Sequence, residues 1–287
     1  MHRAIETAGK DAISKLGRVW FCQPGSAIIT SRTRMMNRRF LLDLDLMRDR
    51  ITDWNTYPFS IPAVAALDRL QFNPEVTFFV GENGSGKSTL VEAIAIRAGF
   101  NAEGGNKNFR SAYRPSESML HQYIRLARGA PREKGGFFLR AETMFNVSTE
   151  AEQYGWEKLH EMSHGEAFLW VTLNKFRDGG LFLLDEPEAA LSPSRQLALL
   201  ARIHQLVQAG SQFIVSTHSP ILLAYPGATI FLLDQTGIHS VRYQDTEHYE
   251  PAPLWWTSRK GLLSSEFHQC SRERDIQIRS RKTPFAA

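Results

Sequence analysis

Short, unbroken apolar runs alternate with longer mixed segments along this chain. Val76-Thr77-Phe78-Phe79-Val80, Leu181-Phe182-Leu183-Leu184 and Phe213-Ile214-Val215-Ser216 have the continuous apolar character of parallel strands covered on both faces. Residues 40–44, 137–141 and 229–233 read as further strands. Helices are predicted over 63–70, 89–97, 117–128 and 167–173. Another starts with Ser192 as N-cap and Pro193 as first helical residue, runs to about Gln208 and stops at Gly210. Residues 99–114 read as a Gly/Asn-rich loop. Strands followed by helices in this order predict an α/β domain with a mainly parallel sheet flanked by helices. Its expected span is 39–250, with a small helical lid at about 100–175. Residues 1–38 lack sustained periodicity and read as a poorly ordered extension, and 251–287 as a basic tail. Met35 and Met36 stand where ordered sequence is expected to begin and mark an alternative start. No internal repeat and no long heptad stretch is present.

Between the run ending at Val80 and the helix predicted from Thr89 lies Gly81-Glu82-Asn83-Gly84-Ser85-Gly86-Lys87-Ser88. It fits G-x-x-x-x-G-K-[ST] in the strand–loop–helix setting that this phosphate-binding motif requires. Its backbone N–H groups must converge on phosphate oxygens, which needs positive φ angles that glycine reaches without penalty. The helix after it aims the positive end of its dipole at the anion. Gly81, Asn83, Gly84, Ser85, Gly86, Lys87, Ser88 and Thr89 are therefore the expected nucleotide contacts. Lys87 is assigned to the β- and γ-phosphates and Ser88 to Mg²⁺.

Two further runs end in chemistry. The run 181–184 leads into Asp185-Glu186-Pro187. A carboxylate on a rigid strand tip can hold Mg²⁺ through its water shell, the role given to Asp185. Glu186 is the expected general base on the attacking water. The run 213–216 leads into Thr217-His218-Ser219-Pro220, where His218 can hydrogen-bond a γ-phosphate or that water. Ser163-His164-Gly165-Glu166 precedes an apolar helix and reads as a capping box, although a helix start with a serine is also an anion site.

Composition bounds the class. No run of about 18 apolar residues is present, so no membrane span is expected. The first residues lack the apolar stretch of a secretory signal. The two cysteines, Cys22 and Cys270, suggest no disulfide framework, and a reduced cytoplasmic compartment is expected. The net charge of +4 misleads: residues 1–40 and 251–287 together carry fifteen Lys/Arg and five Asp/Glu, leaving the central 41–250 acidic. Basic ends of this kind are more often solvated segments than readers of nucleic acid.

The order of these motifs resembles the ABC-type ATPases, most closely their soluble SMC/RecF-type branch with an ABC-like AAA domain. The resemblance covers about residues 40–250. It implies ATP and Mg²⁺ as cofactors, ATP hydrolysis, and an ATP-sandwiched homodimer in which Ser163 and Gly165 touch the γ-phosphate held by the other protomer. The chain departs from the family at His164, where glycine is usual, at Glu166, where glutamine is usual, and at Ser192, where the family carries aspartate. Glu142 follows the strand at 137–141 and stands where the family has glutamine; it is assigned as a Mg²⁺ or water contact. Too few residues separate Ser88 from Ser163 for coiled-coil arms, which excludes tethering of DNA by arms and leaves contact through the dimer surface open. Two alternatives stay open: the nucleotide-binding subunit of a membrane transporter, and a binding switch with little turnover. A GTPase is disfavoured because Asn174-Lys175-Phe176-Arg177 lacks the aspartate of N-K-x-D. A small-molecule kinase is disfavoured because Glu186 and His218 suit water better than an acceptor. The process driven, whether DNA repair, defence or regulation of a partner, is not written in the sequence.

Overall fold

The structure, a computed structural model, describes residues 39–107, 118–144, 147–149, 159–247 and 249. The predicted extension, the whole of the predicted tail and parts of the predicted lid lie outside them. The described residues up to Thr246 form one compact unit.

Two sheets organise the described residues. The larger contains β5 (Gly136–Arg140), β6 (Leu181–Asp185), β7 (Gln212–Ser216), β3 (Val76–Val80), β8 (Thr229–Asp234) and β9 (Gly237–Val241), in that spatial order. Its first five strands run parallel, and β9 closes the edge antiparallel to β8. The smaller sheet is antiparallel, with β1 (Leu41–Leu46) between β2 (Arg69–Gln71) and β4 (Ile124–Arg128).

The apolar runs belong to β3, β6 and β7 because both faces of the larger sheet are covered. Phe78, Phe182, Leu184, Phe213 and Val215 point into one core with α4 (His164–Lys175) and α5 (Pro193–Gln208). The alternate residues Phe79, Leu181, Leu183 and Ile214 point into a second core with α2 (Lys87–Ala98) and the smaller sheet. Strand alternation thus splits each run between two cores, and no strand position is left for solvent. Phe176 stacks on Phe182 at 4.2 Å between ring centroids, and Phe182 meets Phe213 at 5.0 Å. Buried Gln212 joins the sheets: its amide donates to Leu41 O at 2.9 Å and Asn73 O at 2.8 Å, and its carbonyl accepts from Phe40 N and Leu41 N. Four satisfied bonds keep this amide from being a desolvated liability in the core.

Two local expectations are corrected. Within the helix expected over 117–128, only α3 (Leu120–Tyr123) is helical, and Ile124–Arg128 is strand β4. The helix expected over 63–70 is α1 (Pro62–Ala65), and Arg69–Gln71 is strand β2. In β2 the core-facing Leu70 lies between Arg69 and Gln71, and in β4 the core-facing Ile124 and Leu126 flank Arg125, a period of two over runs too short to separate from a helix. Ser192 sits at the N-cap of α5 with extended backbone, but its hydroxyl bonds Ser194 rather than a helix N–H. Strand β9 was not anticipated, since Gly237-Ile238-His239-Ser240-Val241 carries too little apolar signal on an edge.

Candidate functional site

The parallel register sets the site. Arg140 pairs with Asp185, Asp185 with Ser216, and Ser216 with Phe79, so four strand ends form one row. Hydrogen bonding continues one step beyond: Glu186 N–H donates to Ser216 O and Thr217 N–H to Phe79 O, both at 3.1 Å. The loop after β3, the acids after β6 and the Thr-His pair after β7 therefore emerge side by side at the carboxyl edge of the sheet, where open α/β sheets bind ligands.

The loop after β3 has the conformation its glycines allow. Gly81, Gly84 and Gly86 have φ of 145°, 81° and 99°. A Cβ on Gly81 would stand 2.1 Å from Leu233 O, so backbone packing as well as φ requires glycine there. Gly86 is the N-cap of α2, in the left-handed region and with no side-chain cap. Asn83 and Gly84 are exposed, and Ser88 and Thr89 half-buried. Lys87 is buried and donates to Gly81 O at 2.8 Å and Glu82 O at 2.9 Å, curling its amine back inside the loop. Burial holds its pKa below the ordinary value, opposed by the carboxylates of Glu186, Asp185 and Glu188. The buried Ser85 hydroxyl has no hydrogen-bond partner among the described residues.

Asp185 is buried and accepts a short hydrogen bond from the Ser216 hydroxyl. Arg140 approaches its other oxygen at 3.3 Å. Glu186 is the only non-glycine residue with positive φ among the described residues, at φ 49° and ψ 52°. A glutamate held there is strained, and such strain collects at working sites. The turn aims its half-exposed carboxylate at His218, whose Nε2 lies 3.8 Å away.

Sequence reasoning missed Glu188. One of its oxygens accepts from Thr217 Oγ1 at 2.8 Å and the other from the His218 N–H, so the turn Pro187–Ala189 grips the loop that carries the histidine. The run Asp185-Glu186-Pro187-Glu188 offered the signal, because a third acid beside a strand tip needs partners. Arg140, Glu92 and Ser216 were missed too, since strand register brings Arg140 and Ser216 to the acids and the packing of α2 brings Glu92 to Arg140. Exposed Tyr57, whose hydroxyl bonds Thr89 Oγ1 at 3.1 Å, comes from a turn that gave no signal.

The remaining assigned residues stand differently. The Glu142 side chain is 84% exposed, and its nearest ion-pair partner is Arg140 at 3.9 Å. Ser163 caps α4 in a full capping box: its hydroxyl accepts from the Glu166 N–H, and its own N–H donates to the Glu166 carboxylate at 3.0 Å. Arg195 neutralises that carboxylate at 3.1 Å. Ser163 and His164 are exposed. Gly165 is buried against its own chain, where a Cβ would stand 2.3 Å from Ala190 O.

The donor set suits Mg²⁺ shared with a nucleotide. No group of three His, Cys, Asp or Glu able to hold a metal occurs among the described residues. Ser88 and Asp185 are hard oxygen donors, and Mg²⁺ commonly takes one or two protein oxygens with phosphates and water.

Residues 113–224 match a family described as "AAA domain, putative AbiEii toxin, Type IV TA system", and residues 61–159 match one described as "AAA domain". A Haemophilus influenzae protein described as an uncharacterized ABC transporter ATP-binding protein is 35% identical over 77 residues, 26% of this chain and 29% of that protein. The chain thus aligns with under a third of that relative's length. Similar solved structures include an SMC head domain from Thermotoga maritima, at 14% identity, 71% and 98% coverage of this chain and that one, and TM-score 0.39. They also include cbiO1 from Clostridium perfringens, part of the ABC transporter complex cbiONQ, at 17% identity, 72% and 90% coverage and TM-score 0.39. No helix of the described residues is long and apolar enough to cross a membrane.

Proposed function

We propose, from the premise that this chain carries an ABC-like P-loop ATPase domain, that it binds ATP with Mg²⁺ and hydrolyses it in the cytoplasm, closing as a homodimer. One observation carries the reading: the sheet register gathers the glycine loop, Asp185, Glu186 and His218 at a single edge. Gly81, Asn83, Gly84, Ser85 and Gly86 cradle the phosphates with Thr89 close by, and Lys87 exchanges its two loop carbonyls for phosphate oxygens. Ser88 and Asp185 would hold the metal, which would neutralise charge on the phosphates, and exposed Glu142 would contact it or its water. Glu186 orients the attacking water and takes its proton as oxygen joins the γ-phosphorus and the bond to ADP breaks. His218, fixed by Glu188 through its own backbone, hydrogen-bonds the same water or the γ-phosphate. The exposed Ser163 end of α4 faces the partner protomer's nucleotide, while Gly165 serves close packing on Ala190.

The test is calorimetry and turnover on the full chain. Wild type gives a heat of binding with Mg-ATP and releases phosphate. Glu186→Gln keeps the heat and loses about a hundredfold or more in turnover, the scale of a lost general base. Equal turnover in Glu186→Gln would remove the role given to Glu186, and no heat in wild type would remove the whole reading. The similarity to an ABC transporter ATP-binding protein supports a second reading, a nucleotide-binding subunit. Co-purification with a multi-span membrane protein decides for it.

A further inference from the structure

Arg140 is a half-buried cation beside the carboxylate assigned to the metal, and its contacts are unequal. Its guanidinium donates to Glu92 Oε2 on α2 at 2.6 Å, a charge-assisted bond of full strength. Towards Asp185 its Nε stands 3.3 Å from Oδ2 yet makes no hydrogen bond. Glu142 is more distant, at 3.9 Å. Glu92 is itself buried, and its other oxygen accepts from the Ser118 N–H at 3.1 Å. The pair is therefore anchored on its Glu92 side and loose on its Asp185 side.

We infer that Arg140 is a positioning residue that competes with the divalent cation for Asp185, and that Glu92 sets the strength of this competition by holding the guanidinium back. The inference rests on the Mg-ATP reading above. Its physics is Coulombic. A positive charge against one carboxylate oxygen stabilises Asp185 without metal and must yield when a cation shares that carboxylate. The Glu92 bond supplies the alternative that Arg140 falls back on, so metal entry leaves no unpaired half-buried cation. The register pairing Arg140 with Asp185 makes the contact a fixed feature of the sheet edge rather than a chance meeting of long side chains.

This assignment gives two substitutions opposite signs. Removing the competitor, Arg140→Gln, tightens metal binding. Removing the restraint, Glu92→Gln, frees Arg140 to close on Asp185 and weakens it. Damage to the fold weakens both. The measurement is the affinity of Mn²⁺ for the ATP-bound full chain, read by electron paramagnetic resonance without turnover. Arg140→Gln is expected to bind Mn²⁺ about three- to tenfold tighter, and Glu92→Gln weaker by a similar factor, for a single charge near a partly screened site. If Arg140→Gln does not fold, the neutral pair Arg140→Gln/Glu92→Gln is measured instead, and it too must bind Mn²⁺ more tightly than wild type. Unchanged or weaker Mn²⁺ binding in the Arg140 variants overturns the inference while the Mg-ATP reading stands. Wild type that binds no Mn²⁺ with ATP overturns both.

Discussion

The helices α2 and α4 both begin at positions read as phosphate contacts, and they begin in opposite ways. α2 opens on Gly86 in the left-handed region, with no side-chain cap and no acid in its first turn. α4 opens on Ser163 in a capping box, with the Glu166 carboxylate over its N–H groups and Arg195 against that carboxylate. The first start leaves its donors for an outside anion, and the loop glycines supply the conformation that a capping side chain would block. The second supplies its own anion. In the proposed homodimer a phosphate from another protomer would have to share the end of α4 with Glu166, so the two starts differ in what they can bind without help.

The largest effect comes from emptying the open start. Lys87→Ala is expected to weaken Mg-ATP binding by at least about a hundredfold, since a charge-assisted phosphate contact and its point charge are both lost; calorimetry reads it. Glu166→Gln sharpens the comparison from the other side. Gln preserves the capping box and removes the charge, so ATP-dependent dimerisation should tighten about two- to fivefold, the scale of one charge at a helix terminus. Sedimentation with the hydrolysis-deficient Glu186→Gln background measures it, and unchanged dimerisation would mean that the end of α4 meets no phosphate. The smallest effect is on stability. Burial lowers the Lys87 pKa below its ordinary 10.5, so between the two values the unfolded chain binds more protons than the folded one. Stability without nucleotide should therefore rise with pH across that alkaline window, relative to Lys87→Ala. Urea unfolding over a pH series compares the slopes, and parallel curves would show that the buried amine keeps its ordinary pKa.

The site divides in the same way as the fold. Glycine spacing announced the loop at 81–88 because its φ angles are a local demand that few residues meet. Unbroken apolar runs announced β3, β6 and β7 because a strand covered on both faces has no polar position to spare. The capping box at Ser163–Glu166 was legible for the same local reason. Strands β2, β4 and β9 were not, since each lies at an edge or in the small sheet, where pairing with β1 or β8 decides strand over helix.

The sequence by itself determined which residues are candidates for chemistry: the loop around Lys87, the acids after Leu184 and the histidine after β7, each set by turn conformation or by where an apolar run ends. Tertiary structure alone decided who stands beside whom. Parallel register put Arg140 against Asp185 and brought Glu188 under His218. Those contacts join residues distant in the chain, and no local propensity encodes them; they follow from strand order, and strand order from burying both faces of one sheet.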